Sequence, residues 1–436
     1  MGGFCYASTG FLTWGADLVF IVTPGLGFFY SGMTGSKNAP LIMRETLTLR
    51  LPPSPSTAPI RRGFFGFFLA FSESGSAFIG DFAHGGLKDV GAQAMMLPAP
   101  QVPSIAYSMY QLMFATITPA LIFGSVAERV RLLPAMIFVF LWATVVYDPA
   151  AYWTWGARGW IHKMGAAPCN IGGYDYAGGG PVHISSGFAG LAYCIMLGRR
   201  RQVVYKAHNM SNVFLGTALL WLEWFGFNGG SAVAATPRAA MAAFVTTIAA
   251  SCAALSWVVW DYSYTKKLSG LGFCSGAVAG LVAITPASGY VAPWAAIIIG
   301  ILDGVLCNVA CRIKAIFGFD DTLDAWGVHG LGGFLGNILT GVFAQKWIGE
   351  LDGTTIDGGW VEKNWRQVGA IAAWSFVVSM ILLAVINKIT GLHIRPTEED
   401  EDLGADLGEM GEVACELVAA DPNSQMAVML EKKEAH

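Results

Sequence analysis

The sequence predicts an all-α polytopic membrane protein of about eleven transmembrane helices, in two inverted five-helix repeats followed by a final helix. Of its 436 residues, 54% are hydrophobic and only 13% are charged, whereas soluble proteins carry roughly 25% charged residues. Apolar stretches close to the ~20 residues that cross a bilayer recur along the chain. In addition, one histidine-bearing motif occurs at two distant positions, which indicates duplicated structure.

The predicted spans alternate with loops of different charge. They cover approximately residues 8–32, 63–83, 105–127, 132–156, 181–198, 211–230, 238–260, 271–287, 293–312, 324–345 and 367–390. Clusters of Lys and Arg fall in every second loop, and cytoplasmic loops hold the excess of these residues. The N-terminus is therefore predicted outside and the C-terminus inside. Residues 1–390 form the predicted transmembrane domain, and 391–436 form a cytoplasmic acidic tail.

Residues 44–62 interrupt this pattern, because they hold four prolines and four arginines where a second span should begin. The apolar remainder, 63–71, has nine residues and is too short to cross a bilayer alone. The charges of the later loops nevertheless require a crossing here. The segment is either a substitute span that inserts poorly or the product of a faulty gene model such as a translated intron. We favour the second interpretation.

Two histidines define the candidate site. The pattern V-H-x-x-x-G-F-x-G contains His183 in one copy and His329 in the other, and Asp175 and Asp321 each stand eight residues before them. Ionisable side chains inside a membrane are costly and tend to face a cavity or a partner. Paired imidazoles offer hydrogen-bond donors and acceptors to a small substrate, and they can pass a proton. The alternatives are two core histidines bonded to carbonyl groups, or a metal site.

A metal is the weaker alternative, because zinc needs more ligands than two imidazoles and no further His or Cys lies at a suitable spacing. The eight cysteines form no C-x-x-C pair, and most fall in apolar segments as packing residues. The net charge is −4 and no basic cluster is interleaved with aromatic residues, which argues against a nucleic-acid partner. Neither a metal nor a cofactor is expected, membrane lipid is the expected surrounding, and the chain is predicted not to be an enzyme.

Aromatic residues cluster towards the outer ends of several predicted spans. The cluster comprises Tyr110, Phe114, Trp153, Trp155, Trp224, Phe225 and Phe227. Such rings are typical of the belt at a membrane surface. Beside Asn228 and Ser231, however, aromatic faces can also hold a small cation by cation–π attraction. A cation held there must lose its water before it enters an apolar pore.

Several strings resemble the ammonium transporter, methylammonium permease and Rhesus family, and its fungal permease branch in particular. Among them are PGLGFFYSGM (24–33), YDPAAYWTWG (147–156), DYAGGGPVHISSGFA (175–189), WFGFNGGSA (224–232) and DDTLDAWGVHGLGGFLGNILTG (320–341). The resemblance covers nearly the whole chain. It implies a plasma-membrane homotrimer in which each protomer has its own pore. The implied substrate is ammonium or ammonia, with methylammonium as a further candidate.

The resemblance also implies a role for individual residues. His183 and His329 correspond to the paired pore histidines, Phe114 and Phe227 to a stacked gate, and Trp224 and Thr285 to pore-lining residues; Trp155, Tyr110 and Ser231 correspond to the ammonium recruitment site, and Asp175 to its supporting aspartate. Ammonium would lose its water and its proton at the outer site and pass as ammonia, because desolvating an ion costs far more than desolvating a neutral molecule. Whether the proton is relayed through the histidines or left behind stays open.

Three alternatives remain at this stage: an ammonium sensor that signals through the tail, a neutral-gas channel of the Rhesus type, and a membrane metalloenzyme. Residues 391–412 resemble the cytoplasmic segment that couples this family to a regulator, although an acidic solvated tail is the simpler interpretation. Glu223 stands where the family usually has glycine, and Asp17 and Asp303 are unexpected acids inside predicted spans.

Overall fold

The computed structural model describes residues 5–48, 66–93, 101–164, 172–201, 207–359 and 361–412. The described regular elements are all helical, which confirms the predicted all-α class. In chain order the helices are α1 (Tyr6–Met33), α2 (Ala39–Thr48), α3 (Phe67–Phe71), α4 (Ser104–Val126), α5 (Leu132–Trp155), α6 (Gly179–Leu197), α7 (Met210–Trp224), α8 (Pro237–Thr265), α9 (Gly270–Ile284), α10 (Pro293–Phe317), α11 (Gly332–Phe343), α12 (Lys346–Glu350), α13 (Val361–Lys388) and α14 (Glu398–Leu403).

Short turns of other helical types complete these elements. Single 3-10 turns cover Gly85–Leu87 and His162–Met164, and π-helical turns cover Ala143–Tyr147 within α5, Gly179–Ile184 at the start of α6, Phe225–Gly229 after α7, Trp326–Leu331 before α11 and Asp406–Met410 after α14. A π-turn inserts an extra residue into a helix and is frequent at functional sites. Sequence periodicity did not predict these turns.

Seven of the described helices are long and apolar enough to cross a membrane, namely α1, α4, α5, α6, α8, α10 and α13. The shorter helices α7, α9 and α11, two of them joined to a π-turn, occupy the predicted spans 211–230, 271–287 and 324–345. The predicted span 63–83 differs, because helix α3 ends at Phe71. There the chain turns back: the Gly80 amide donates to the Leu69 carbonyl at 2.8 Å, and Ser72 donates to Asp81 at 2.5 Å. Residues 49–62 of the anomalous segment lie outside the described residues.

Helices α6 and α11 carry the repeated motif and cross at its glycines. A Cβ atom on Gly187 would lie 2.3 Å from the Gly330 Cα atom, and one on Gly333 would lie 2.9 Å from the His183 Cβ atom. Each of these glycines follows the histidine of its own repeat by four residues and packs against the other repeat's histidine segment. This reciprocity is what two inverted repeats produce, and glycine is what such close approach in a membrane requires.

The two aspartates of the repeat make equivalent hydrogen bonds to the backbone. Asp175 accepts two backbone N–H bonds at 2.8 Å from the turn that opens α6. Asp321 likewise accepts two, at 3.1 and 2.9 Å, from the turn before α11. Five residues before each histidine the backbone is left-handed, with φ of 119° at Gly178 and 61° at Asp324. The repeat therefore extends from the motif to the geometry that positions each histidine.

The acidic tail packs against one end of the helix bundle, which we call the tail side. The Arg395 guanidinium donates to the Leu197 carbonyl at 2.8 Å, and the Ala405 amide donates to the Asn38 side chain at 2.8 Å. Arg201 forms ion pairs with acids at both ends of α14. Several acids of the run are therefore paired with arginines, among them Glu401 with Arg395. We call the opposite end of the bundle the far side.

Candidate functional site

The two motif histidines meet inside the bundle. Both lie in π-turns, and their Nδ1 atoms are 3.3 Å apart, which is within hydrogen-bond range for one donor and one acceptor. The ring centroids are 5.3 Å apart with the planes 17° from parallel. Both side chains are buried. Among the described residues, His183 Nε2 has no hydrogen-bond partner, and it can accept an N–H from a small guest in the tautomer whose proton is on Nδ1.

A column of aromatic rings leads from His183 towards the far side. The Trp224 and Phe227 rings lie 5.7 and 6.0 Å from the His183 ring, within 9° and 19° of parallel. Phe227 in turn contacts Phe114 at 4.5 Å between centroids. Phe114 and Phe227 are each 1% exposed, so these two rings close the column to bulk water. The predicted gate residues are thus in contact next to the histidine pair, but their planes are tilted by 48°, so the expected stacking is not seen.

Trp224 and Thr285 form one unit. The Trp224 Nε1–H donates to the Thr285 hydroxyl at 2.9 Å, and that hydroxyl donates to the Leu281 carbonyl at 2.7 Å. Because its hydrogen is engaged, the hydroxyl presents only lone pairs to the indole. Thr285 therefore fixes the orientation of Trp224.

A cavity of about 240 Å³ lies at the far-side end of the ring column, and we call it the far-side cavity. Its lining contains Tyr110, Phe114, Trp155, Asp175 and Ser231, all singled out by the sequence. A water molecule occupies about 30 Å³ in the liquid, so this space can admit a small cation with part of its hydration shell. The next barrier is the buried contact between Phe114 and Phe227.

The hydrogen bonds of Tyr110 and Ser231 leave the Ser231 oxygen as an acceptor in this cavity. The Tyr110 hydroxyl lies 2.9 Å from the Gly226 and Phe227 carbonyls and 3.2 Å from the Ser231 hydroxyl. Ser231 itself donates to the Phe227 carbonyl at 2.8 Å. With its hydrogen so directed, the Ser231 oxygen has lone pairs available for an N–H donor.

Asp175 is fully occupied in holding the site together. Besides the two bonds described above, its carboxylate accepts the Gly180 N–H at 2.6 Å and the Gln367 side-chain N–H at 2.7 Å. Its backbone carbonyl accepts the Trp155 indole N–H at 3.1 Å. Asp175 therefore orients Trp155 and the turn before His183, and its carboxylate oxygens are not directed at a guest.

Three charged or titratable residues in the far-side cavity were missed by the sequence analysis: His162, Arg238 and Asp352. Arg238 pairs with Asp352 at 3.2 Å, and its guanidinium carbon lies 5.1 and 5.0 Å from the ring centroids of Tyr176 and Tyr290. Burial, together with the charge of Lys163, lowers the pKa of His162, so this imidazole is neutral at pH 7. The acid Asp352 thus offsets the charge of Arg238, the permanent cation among the described lining residues.

The described residues contain no group of three or more His, Cys, Asp or Glu side chains that could hold a metal ion. The histidine pair therefore has no additional ligands of these types among the residues described. This finding gives the metalloenzyme alternative no support.

Comparisons with known proteins identify the family of the chain. The model of the Ammonium Transporter Family matches residues 10–415. The chain is 46% identical over 412 residues to "Ammonium transporter 1" of Schizosaccharomyces pombe, which covers 91% of this chain and 80% of that protein. It is 39% identical over 434 residues to "Ammonium transporter MEP2" of Saccharomyces cerevisiae, which covers 95% of this chain and 84% of that protein.

Solved structures give the same result. The crystal structure of Candida albicans Mep2 superposes with a TM-score of 0.83 at 39% sequence identity, covering 92% of this chain and 89% of that one. The resemblance inferred from the motifs is confirmed, and these relatives are named as transporters rather than as enzymes. The chain is a multi-pass membrane protein that belongs to the ammonium transporter family.

Proposed function

We propose that the chain transports ammonium across the plasma membrane, binding the ion in the far-side cavity and conducting ammonia past the histidine pair. One observation carries this function: a polar cavity, a closed aromatic contact and two facing imidazoles lie in sequence along one path. In this orientation the far side is extracellular and the tail side is cytoplasmic. The relatives' names as ammonium transporters support the substrate.

Recruitment rests on complementary chemistry. An ammonium ion carries positive charge and four N–H donors, while Ser231 offers an oxygen acceptor and Trp155 and Phe114 offer aromatic faces in the same cavity. None of these groups contributes a positive charge. The ion can therefore exchange part of its water for these contacts before it reaches the phenylalanines. Methylammonium presents the same charge and fewer donors, which makes it a second candidate substrate.

The phenylalanine contact selects for ammonia. Moving a charged ion between two buried rings costs far more than moving a neutral molecule. Ammonium can reduce this cost by giving up a proton, whereas potassium has none to release. Beyond the rings, the free Nε2 atom of His183 can accept an N–H of ammonia. The 3.3 Å separation of the two Nδ1 atoms also permits a proton to pass between the imidazoles.

Replacing either pore histidine by alanine is expected to lower ammonium uptake by about ten-fold or more, because a desolvated polar guest then loses a hydrogen-bond partner worth ~1–3 kcal/mol. His183→Ala and His329→Ala are tested by growth on low ammonium and by initial uptake rates in cells that lack their own ammonium uptake. His393→Ala, at an exposed histidine in the tail, is the matched control. Normal uptake in both pore variants would contradict the proposed path.

Each variant is built twice, once in the chain as given and once with an apolar segment in place of residues 44–62. If only the chain with the replaced segment supports growth, residues 44–62 cause the loss of uptake in the chain as given. The histidine variants are then compared in the chain with the replaced segment. Ammonium-induced currents in oocytes then separate the two transport modes. An active transporter that produces no current would exclude the proton relay.

The surface of α1 supports the proposed homotrimer. Asp17 is exposed on this membrane-spanning helix, near Trp14 and Phe20, which are 53% and 48% exposed. A carboxylate that faces lipid is costly, and acids within spans usually face protein or water. A second copy of the chain packed on this face would remove Asp17 from lipid. The same contact would cover the two exposed aromatic rings.

Regulation through the tail is favoured by one specific contact. Asp406 accepts the Leu41 N–H at 2.8 Å, at the first turn of α2, and its own amide donates to the Lys37 carbonyl at 3.1 Å. The Asp406 side chain is buried. A tail residue thus acts as an N-terminal cap for a helix that follows α1 directly. We propose that a cytoplasmic regulator acts by binding or releasing this segment.

The tail contact is expected to strengthen as pH falls from 8 to 6. Burial raises the pKa of Asp406 to about 7, although hydrogen bonds from the Leu41 and Ala39 amides oppose the shift. In a released tail the pKa would return to about 3.9. The bound tail therefore holds its proton more tightly, so protonation favours binding and this contribution is lost as pH rises through 7. Hydrogen exchange of residues 404–408, corrected for the intrinsic pH effect, measures the contact.

Asp406→Asn keeps the acceptor for Leu41 but removes the titration, so its tail should show the same corrected protection at pH 6 and pH 8. Glu412, whose charge raises the pKa of Asp406, is the neighbouring acid to neutralise in a parallel variant. Protection that increases with pH in the unmodified protein would reverse the proposed sign. A pH response that persists in Asp406→Asn would assign it to another group.

A further inference from the structure

The repeat places a counterpart of the far-side cavity at the other end of the pore. A cavity of about 580 Å³, the tail-side cavity, is lined by the end of α10, by the residues before Asp321 and by residues just after α6. The far-side cavity is lined by the end of α5 and by the residues before Asp175, and in addition by α4, by residues after α7 and by residues after α12. Helix α5 precedes α6 in the first repeat as α10 precedes α11 in the second. The two cavities therefore share two equivalent parts of the repeats, namely the helix end and the residues before the repeat aspartate.

The two cavities differ in the side chain that donates a hydrogen bond to the backbone carbonyl of the repeat aspartate. In the far-side cavity, the Trp155 indole N–H donates to the Asp175 carbonyl at 3.1 Å. In the tail-side cavity, the Lys314 ammonium group donates to the Asp321 carbonyl at 2.7 Å. Both carbonyls belong to the aspartate eight residues before the pore histidine. The far side thus has an aromatic face, suited to attracting a cation, where the tail side has a cation of its own.

Lys314 also forms an ion pair with a residue of the same turn. Its Nζ atom lies 2.6 Å from an Asp324 carboxylate oxygen. Asp324 occupies the left-handed position, equivalent to Gly178, and Asp and Asn are among the residues that tolerate this conformation best. One backbone carbonyl and one carboxylate around a primary ammonium group form the kind of coordination that a free ammonium ion also seeks.

We infer that the Lys314 ammonium group fills a cation site at the cytoplasmic mouth of the pore. This inference rests on the proposed function in ammonium transport. Because Lys314 already pairs with Asp324, this carboxylate is not available to ammonium on the cytoplasmic side, and Asp320 in the same lining is paired with Arg200. The ion is also repelled by the like charge of Lys314. The extracellular mouth collects the ion and the cytoplasmic mouth does not. Substrate that arrives as ammonia is therefore released without being held.

Removing the lysine should open the site to the free ion. Purified Lys314→Ala is titrated with ammonium chloride, and with choline chloride at equal ionic strength, while the melting temperature is recorded. We expect a saturable upward shift with ammonium that exceeds any shift of the unmodified protein, whose far-side cavity supplies the background. In the double variant with Asp324→Asn, the extra shift should be lost. Asn at this position is compatible with the left-handed backbone.

Equal shifts in Lys314→Ala and the unmodified protein would overturn the inference, as would an extra shift that survives Asp324→Asn. The measurement needs no transport. If the proposed transport function failed, uptake would be absent while the ammonium-specific shift persisted, so the two failures are distinguishable.

A second comparison covers the case in which Lys314→Ala does not fold. Lys314→Gln and Lys314→Arg are reconstituted in vesicles preloaded with labelled methylammonium, with the protein's orientation determined by protease access to the tail. Efflux through the cytoplasmic mouth should be several-fold faster in the Gln variant than in the Arg variant, which keeps the charge. Equal efflux in the two variants would overturn the inference.

Discussion

Replacing Gly187 with alanine is expected to abolish both the folded protein and ammonium uptake. The added Cβ atom would lie 2.3 Å from the Gly330 Cα and N atoms, well inside the ~3.5–4.0 Å of a normal carbon contact. These are backbone atoms of the turn that carries His329, so no side chain can rotate away. Overpacking of this kind costs ~1–3 kcal/mol or more, and here it also displaces one imidazole relative to the other. Fluorescence-detected gel filtration and uptake assays measure the two losses.

The chain offers matched controls for this substitution. Gly10 and Gly369 are also helical, and a Cβ atom at either position would meet nothing within 4 Å. Alanine favours a helix by up to ~1 kcal/mol over glycine, so these variants should be at least as stable as the unmodified protein. At Gly333, where the nearest contacts are 2.9 Å, we expect an intermediate loss. Wild-type uptake by Gly187→Ala would show that the two repeats do not need this close approach.

The meeting of His183 and His329 could be predicted because its signal is local and repeated. A histidine in an apolar segment is conspicuous, and finding the same frame twice indicates that the two copies perform equivalent tasks. The aspartates eight residues earlier belonged to the same frame, and both prove to cap the turn that carries the histidine. A short repeated pattern thus predicted that the two histidines meet inside the helix bundle.

The pair formed by Arg238 and Asp352 carried no comparable signal. The two residues are 114 positions apart, and each lies near the end of an apolar segment, where a charge is ordinary. Their proximity depends on how α8 packs against the residues after α12, which periodicity does not describe. The same limitation applies to Asp175, whose position could be predicted but whose bond to Gln367 spans 192 residues.

The three unexpected acids inside predicted spans differ in how far they are buried. Asp303 is fully buried on α10 and accepts the S–H of Cys307, one helical turn further along, at 3.3 Å. Asp17 is exposed on its span instead. Glu223 is fully buried beside Trp224 on helix α7. From sequence alone these acids looked alike, because hydropathy does not distinguish the face of a span that packs on protein from the face that meets lipid.

Replacing Asp175 is expected to destabilise the site more than any other single change of a polar residue there. Asp175→Ala would leave three backbone N–H groups and the Gln367 amide, all buried, without their acceptor. Each unsatisfied group costs ~1–3 kcal/mol, and a folded protein has only ~5–15 kcal/mol in reserve. We therefore expect little folded protein at 37 °C. Thermal unfolding in detergent measures the loss directly.

Asp175→Asn separates the effect of the carboxylate's charge from the effect of the side chain's shape. Asparagine fills the same space but turns one acceptor into a donor, which then faces a backbone N–H of the turn or the Gln367 amide. Folded protein should be recovered in part. Because the same turn supplies the carbonyl that binds the Trp155 indole, the half-saturating ammonium concentration should rise as well. Asp357→Asn, at an exposed aspartate, is the control. Unchanged melting temperature and affinity in Asp175→Asn would show that the turn keeps its shape without the charge, and that Trp155 is oriented by other contacts.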